Sequence, residues 1–311
     1  MGRDFSQAKK NLEGEIDFFG LLDILFDGKW IIISITTFFS IAGVIFSLLL
    51  PNIYESKALL ASSFSENESG LLQNYGSLAN LAGIDIPGSP ESNSVPALEK
   101  LDSLSFFENN VLPNIFLPNL MAFKSWNSEN GSIQYDKDIY DISSDTWVRD
   151  FSYPQKLIPS AQESFEKFKK HMRITIDKDT DFVTISVKHQ SPQIAYDWTR
   201  LLIEQINSFY RKKDKTEAEK AVEYLNTQIV MTNFSEIKES VAFLLQQEIQ
   251  KLTLIEANEF YVYEYIDPPA VMEEKSEPGR ALICILMTFI GGILSTIIVL
   301  MKHFIFKEEM D

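Results

Sequence analysis

The chain has 311 residues, with 44 acidic against 28 basic side chains, a formal net charge of −16 and a single cysteine. An acidic balance of this kind is poorly suited to nucleic acid or anionic lipid, which call for basic patches. The lone Cys284 permits no disulfide within the chain and no zinc cluster, so a fold of this size must be held by its own core or by neighbours.

Near the N-terminus, Ile16, Phe19, Leu22 and Phe26 recur at helical spacing between Asp17, Asp23 and Asp27, which predicts an amphipathic helix. An uncharged run follows from Trp30 to Leu50. At about 1.5 Å per residue its 21 residues reach roughly 31 Å, the thickness of a bilayer's hydrocarbon core. Its length exceeds a signal core, and Leu48-Leu49-Leu50-Pro51 offers no small-residue cleavage pattern, so the segment is expected to stay attached. Tyr54 to Ser63 reads as a strand. Residues 65–96, rich in Ser, Asn, Gly and Pro, read as a loop, 97–107 as a short helix and 108–160 as irregular structure.

Order returns at Ser160, which with Glu163 has the spacing of a capping box. His171 to Ile176 and Phe182 to Lys188 alternate apolar and polar residues around 177–181, a hairpin signature, and Ser191-Pro192 opens a helix. From Gln193 to Asp267 there are 75 residues without glycine or proline, which predicts very long helices over about 192–258. Their expected interruption is Thr232-Asn233, with Asn233 capping and Glu236 reaching back. Val222, Leu225 and Ile229 form one apolar stripe; Ile237, Val241, Leu244, Leu245, Ile249 and Leu252 form another. These stripes pair with each other or with a second subunit, and Val241 and Leu245 are candidate oligomer contacts. A strand over 259–266 is expected to lie beside Tyr54 to Ser63. Asp267-Pro268-Pro269 and Pro278-Gly279-Arg280 then lead to a second uncharged run, Ala281 to Met301, in which Gly291 and Gly292 allow close helix approach.

Two spans place both termini on one side and the intervening domain on the other. The expected divisions are 1–29, 30–50, 51–280, 281–301 and 302–311. Of the charged residues, 6 basic and 9 acidic lie in the two terminal segments, leaving 22 basic and 35 acidic in the middle, a net charge of −13. Long loops cross membranes largely regardless of charge, so this asymmetry does not orient the chain.

Glu15-Ile16-Asp17 through Leu22-Asp23 to Gly28-Lys29-Trp30-Ile31-Ile32, Ser77 to Ile84, Ile185 to Pro192, and Ile266-Asp267-Pro268-Pro269 with Pro278 together resemble the Wzz chain-length determinants, the polysaccharide co-polymerases. The resemblance implies an α+β fold: a membrane hairpin of two transmembrane helices flanking a periplasmic α/β base with a long protruding helical hairpin. It also implies a multi-pass protein of a bacterial inner membrane with cytoplasmic ends, ring-like homo-oligomers, and a role with a Wzy-type polymerase and lipid-linked polysaccharide in setting O-antigen chain length. Pro268, Pro269, Pro278, Gly291 and Gly292 stand at the family's proline and glycine motifs. The chain departs from the pattern in having fewer prolines before the second span and Ile293-Leu294-Ser295 after its glycines.

The residues argue against an enzyme. There is no phosphate-binding Gly-x-x-x-x-Gly-Lys-Ser/Thr loop, and ten residues after Met301 leave no room for a kinase domain. His171, His189 and His303 are scattered, so no metal centre and no cofactor are expected. Asp177 and Asp179 have the residue types of a glycosidase pair but fall in a polar turn. Tyr261, Tyr263 and Tyr265 share a strand face and either stack on sugar rings or pack on a helix. Beside the O-antigen reading stands a co-polymerase for capsule or exopolysaccharide export, acting with a separate tyrosine kinase.

Overall fold

The computed structural model describes residues 24–63, 94–258 and 260–308. They fall into two compact units: 52–276, and the two chain ends up to Pro51 and from Glu277. Residues 16–23 of the expected amphipathic helix and 65–93 of the expected loop lie outside the described residues. The unit of the chain ends consists of α1 (Lys29–Leu49) and the last helix, α7 (Arg280–Glu308), packed side by side.

The unit 52–276 begins with β1 (Tyr54–Ser62), whose Tyr54, Ser56, Ala58 and Leu60 are buried while the alternate positions are more open. That period of two is the pleat of a sheet with one covered face. After the short helix α2 (Ser94–Leu101), a helical turn at Leu104–Phe106 and a π-turn lead to α3 (Leu117–Met121). The region expected to be irregular instead folds into two small antiparallel pairs, β2 (Phe123–Trp126) with β3 (Ile133–Tyr135), and β4 (Tyr140–Asp141) with β5 (Thr146–Trp147). Four aromatic rings, Phe116, Tyr135, Tyr140 and Trp147, supply their own small core, with centroid separations of 5.1 to 6.2 Å. Strands of two to four residues are too short for a readable alternation, which is why the sequence pattern misses them.

Helix α4 (Ala161–Phe168) has the expected capping box: Glu163 N–H donates to Ser160 Oγ at 3.2 Å, and Ser160 N–H donates to Glu163 Oε2 at 3.0 Å. Arg149 adds a two-pronged ion pair to Glu163, both N···O distances 3.0 Å. That guanidinium holds the Glu163 carboxyl below its usual range. The hairpin of β6 (Met172–Ile176) and β7 (Val183–His189) follows, then α5 (Pro192–Met231) and α6 (Ser235–Ala257), and finally β8 (Tyr263–Asp267).

The main sheet is antiparallel, in the order β6-β7-β1-β8. The expected neighbouring of the first and last strands is observed, with Leu60 opposite Tyr265 and Ser62 opposite Tyr263. One face carries α5. Its Ile194, Trp198, Leu202, Ile206 and Tyr210, spaced by four, are buried, and Thr199 Oγ1 donates to the Ser56 carbonyl at 3.3 Å. Past Ala218 no residue of α5 is buried, so among the described residues its distal turns run beyond the core with α6 alongside. At 40 residues the helix is about 60 Å long.

Two details differ from expectation. Asn233 does not cap α6: the chain passes extended through Thr232 and Phe234, Phe234 occupies the cap, and no side chain bonds there. The last strand starts later than expected, at Tyr263, because its partner β1 ends at Ser62 opposite it, and Asn207 of α5 meets the backbone there. Val262 and Tyr263 N–H both donate to Asn207 Oδ1 (2.7 and 2.9 Å), and Asn207 Nδ2 donates to the Tyr263 carbonyl at 3.0 Å. One buried carboxamide thus occupies the open side of β8 as a further strand would.

Asn207→Ala removes three hydrogen bonds and leaves buried backbone groups without partners, each costing about 1–3 kcal/mol. We expect a loss of about 3 kcal/mol, read as a lower urea midpoint followed by tryptophan fluorescence. Asn226→Ala, on the exposed distal part of α5, should stay within about 0.5 kcal/mol of the parent.

Candidate functional site

Helices α1 and α7 are each long and apolar enough to cross a membrane, with mean hydropathies of 2.3 and 2.6. Their outward side chains are large and apolar: Phe38, Ile41, Leu286 and Phe289 are all at least half exposed. A surface of that kind is at home in hydrocarbon and costly in water.

The two helices run antiparallel and meet on glycines. A Cβ at Gly291 would stand 2.7 Å from Phe39 Cβ, and one at Gly43 would stand 2.8 Å from Met287 Cβ; Gly28 is closed in the same way by Val299. Between these points the Ser40 and Thr288 hydroxyls bond across the interface at 2.8 Å. Gly292 has nothing within 4 Å of a built Cβ. The two adjacent glycines therefore do not form one flat face: a step of about 100° around the helix turns Gly291 to the partner helix and Gly292 away from it. Gly292 lies in an apolar groove of about 780 Å³ with Ile32, Thr288, Phe289, Ile293 and Thr296.

Pro268 and Pro269 directly follow β8, where a residue without an N–H cannot continue the ladder. The chain then folds back along the start of β1: Ser56 Oγ donates to the Ala270 carbonyl at 2.9 Å, and Ser276 N–H donates to the Ile53 carbonyl at 2.8 Å. Pro278 follows in the unit of the chain ends, preceded by a cis peptide bond.

On α6, Val241 and Leu245 are half-buried, whereas Ile237, Phe243, Leu244 and Ile249 are 43–52% exposed. The α5–α6 hairpin thus uses part of its apolar surface internally and leaves these four side chains largely open. Beside it runs a groove of about 670 Å³ lined by Val222, Asn226, Val230, Met231 and Leu252.

Asp177 accepts from Asp179 N–H within an exposed turn, so this pair caps a hairpin loop. Tyr261 and Tyr263 are buried against α5 and cannot stack on a sugar; Tyr261 Oη donates to Asp214 Oδ2 at 2.7 Å, and burial with that carboxylate pushes its hydroxyl pKa up. His171 and His189, scattered in sequence, come together with ring centroids 5.6 Å apart beside Trp198. Among the described residues no group of three or more His, Cys, Asp or Glu could hold a metal ion. The sequence did not reveal the histidine pair, because His171 and His189 are brought together only by the β6–β7 hairpin and its register with α5.

The family model "Wzz: Chain length determinant protein" matches residues 14–108. No curated protein matches the chain. Among solved structures, a "full-length bacterial polysaccharide co-polymerase" is 14% identical, covering 94% of this chain and 99% of its own, with a TM-score of 0.41. A fragment of WzzB, the polysaccharide co-polymerase from Salmonella Typhimurium, is likewise 14% identical, covering 73% of this chain and all of its own, with a TM-score of 0.33.

The glycine geometry predicts unequal outcomes for two adjacent substitutions. With Cys284 replaced by serine, a Ser40→Cys/Thr288→Cys pair should cross-link readily in membranes. Gly291→Leu, which collides with Phe39, should cut the yield several-fold, while Gly292→Leu should leave it unchanged.

Proposed function

We propose that this chain, which carries the Wzz chain length determinant region over residues 14–108, is a non-catalytic regulator of surface polysaccharide chain length. The reading rests on one observation above others: a family match beginning before α1 and running into a folded unit bracketed in the chain by two long apolar helices. The chain is then a multi-pass protein of a bacterial inner membrane, with residues 1–29 and 302–311 in the cytoplasm and 51–280 in the periplasm. It acts as a homo-oligomer with a Wzy-type polymerase on lipid-linked O-antigen.

The surfaces left free in the structure suit that role. Between subunits the contact is made by the exposed apolar side chains of α6, Ile237, Phe243 and Leu244, with the half-buried Val241 and Leu245 beside them, set against the apolar groove on the neighbouring α5. In the membrane the polymerase meets the open face around Gly292, since Gly291 is used within the chain. The segment from Pro268 and Pro269 to Pro278 leads the chain from β8 to the second span.

Gel analysis of lipopolysaccharide from a deletion strain tests the function. Loss of the modal ladder supports it; an intact ladder with loss of capsule replaces it by the export co-polymerase acting with a separate tyrosine kinase. Reporter fusions should place Gly2 and Asp311 in the cytoplasm and Asn130 in the periplasm, and the opposite pattern removes the assigned orientation. For assembly, Leu244→Asp should lower the yield of cross-linked multimers about tenfold or more, since a charge buried unpaired at an interface costs several kcal/mol. Gly292→Leu should preserve insertion and multimers yet broaden the modal distribution.

A further inference from the structure

We propose that the contact between His189 and Ser191 is an acid-sensitive latch at the start of α5, which opens the first turns of that helix in acid medium before the rest of the unit unfolds. His189 ends β7 and Ser191 caps α5, with Ser191 Oγ accepting from Ile194 N–H at 3.4 Å. Ser191 N–H in turn donates to His189 Nδ1 at 3.0 Å. A backbone N–H can only donate, so Nδ1 must carry a lone pair and the ring must be neutral, with its proton on Nε2. The Asn119 backbone also bonds the ring.

Burial and the neighbouring basic groups oppose a charged ring and outweigh its backbone hydrogen bonds. His189 is 3% exposed, with the Phe123 ring of β2 at 4.4 Å and the Trp198 ring of α5 at 5.3 Å, both uncharged. The titratable groups acting on it are His171, just before β6, and Lys167 of α4, and both are basic. Protonation would set N–H against N–H at the cap and place a cation among apolar rings and like charges. Burial accordingly brings its pKa down from 6.5 to about 3.

A group with a depressed folded-state pKa and a neutral native form contributes stability that is whole above 6.5 and is lost as pH falls from there toward 3. What the latch holds is the part of α5 that binds the sheet: Ile194, Ala195, Trp198 and Thr199 are buried, and Thr199 bonds Ser56 of β1. His171 is a different case. Its Nδ1–H donates to the Lys188 carbonyl at 2.7 Å, a bond that protonation leaves intact.

Hydrogen exchange on the full chain in detergent micelles, corrected for the intrinsic pH dependence of exchange, tests the latch. Opening at residues 190–199 should rise about 30-fold between pH 7.5 and 5, as follows for a ring titrating at 6.5 when open and about 3 when closed. Residues 202–210 should change far less. His189→Gln, whose amide oxygen can still accept from Ser191 but cannot titrate, should abolish the rise; His171→Gln should retain it. A uniform rise across α5, or a His189→Gln chain that keeps the acid response, overturns the proposal. Should the glutamine chain not fold, the His189 ring signal of the parent decides: a ring neutral down to pH 5 with local opening at Ser191 supports the latch, and ordinary titration near 6.5 with Ser191 unaffected overturns it.

Discussion

The unit 52–276 depends on the pairing of its first strand with its last. β1 occupies an interior position between β7 and β8, so the sheet cannot be completed until the chain has travelled from Tyr54 to Asp267 and returned. The Ile53 carbonyl then accepts from both the N–H and the hydroxyl of Ser276, so the chain enters and leaves the unit at one place. Such long-range closure costs more loop entropy than local pairing, and it must be offset by burial. The burial is supplied by α5, whose stripe from Ile194 to Tyr210 covers the sheet while Asn207 satisfies the backbone of Val262 and Tyr263.

That arrangement divides α5 by stability. Its proximal turns are clamped by Trp198, Thr199, Leu202 and Ile206; among the described residues its distal turns have α6 beside them, with Val230 and Met231 more than two-thirds exposed. A long helix anchored at one end transmits whatever happens at its root. The cap at that root depends on a neutral histidine, so a side chain at the end of β7 bears on the first turns of α5.

In the pair of apolar helices the governing constraint is the opposite of a filled core. Contact is made by bringing backbones close, as helix pairs in hydrocarbon do, and Gly28, Gly43 and Gly291 are the positions where a side chain would collide with the facing helix. Ser40 and Thr288 add a hydrogen bond in the middle. Because these contacts use one side of α7, its remaining faces stay available to lipid or to another protein.

The sequence alone determined the features that depend on local chemistry. Two uncharged runs of hydrocarbon-core length, the Ser160–Glu163 box, the 171–188 hairpin, the helix opening at Ser191-Pro192 and the glycine- and proline-free stretch after it are each set by a few neighbouring residues, and each is found in the structure. The adjacency of the first and last strands was also legible, from two strand patterns at opposite ends of one long loop. Tertiary structure decided the rest. Whether Gly291 or Gly292 meets another helix depends on the rotation of α7 against α1, and whether Val241 or Leu244 faces outward depends on how α6 lies on α5. The small sheets of 123–147 are held by rings drawn from different segments, and the His171–His189 pair exists only because a hairpin folds beside a helix. Side chains distant in the chain meet through register and rotation, and neither quantity is written in any local pattern of residues.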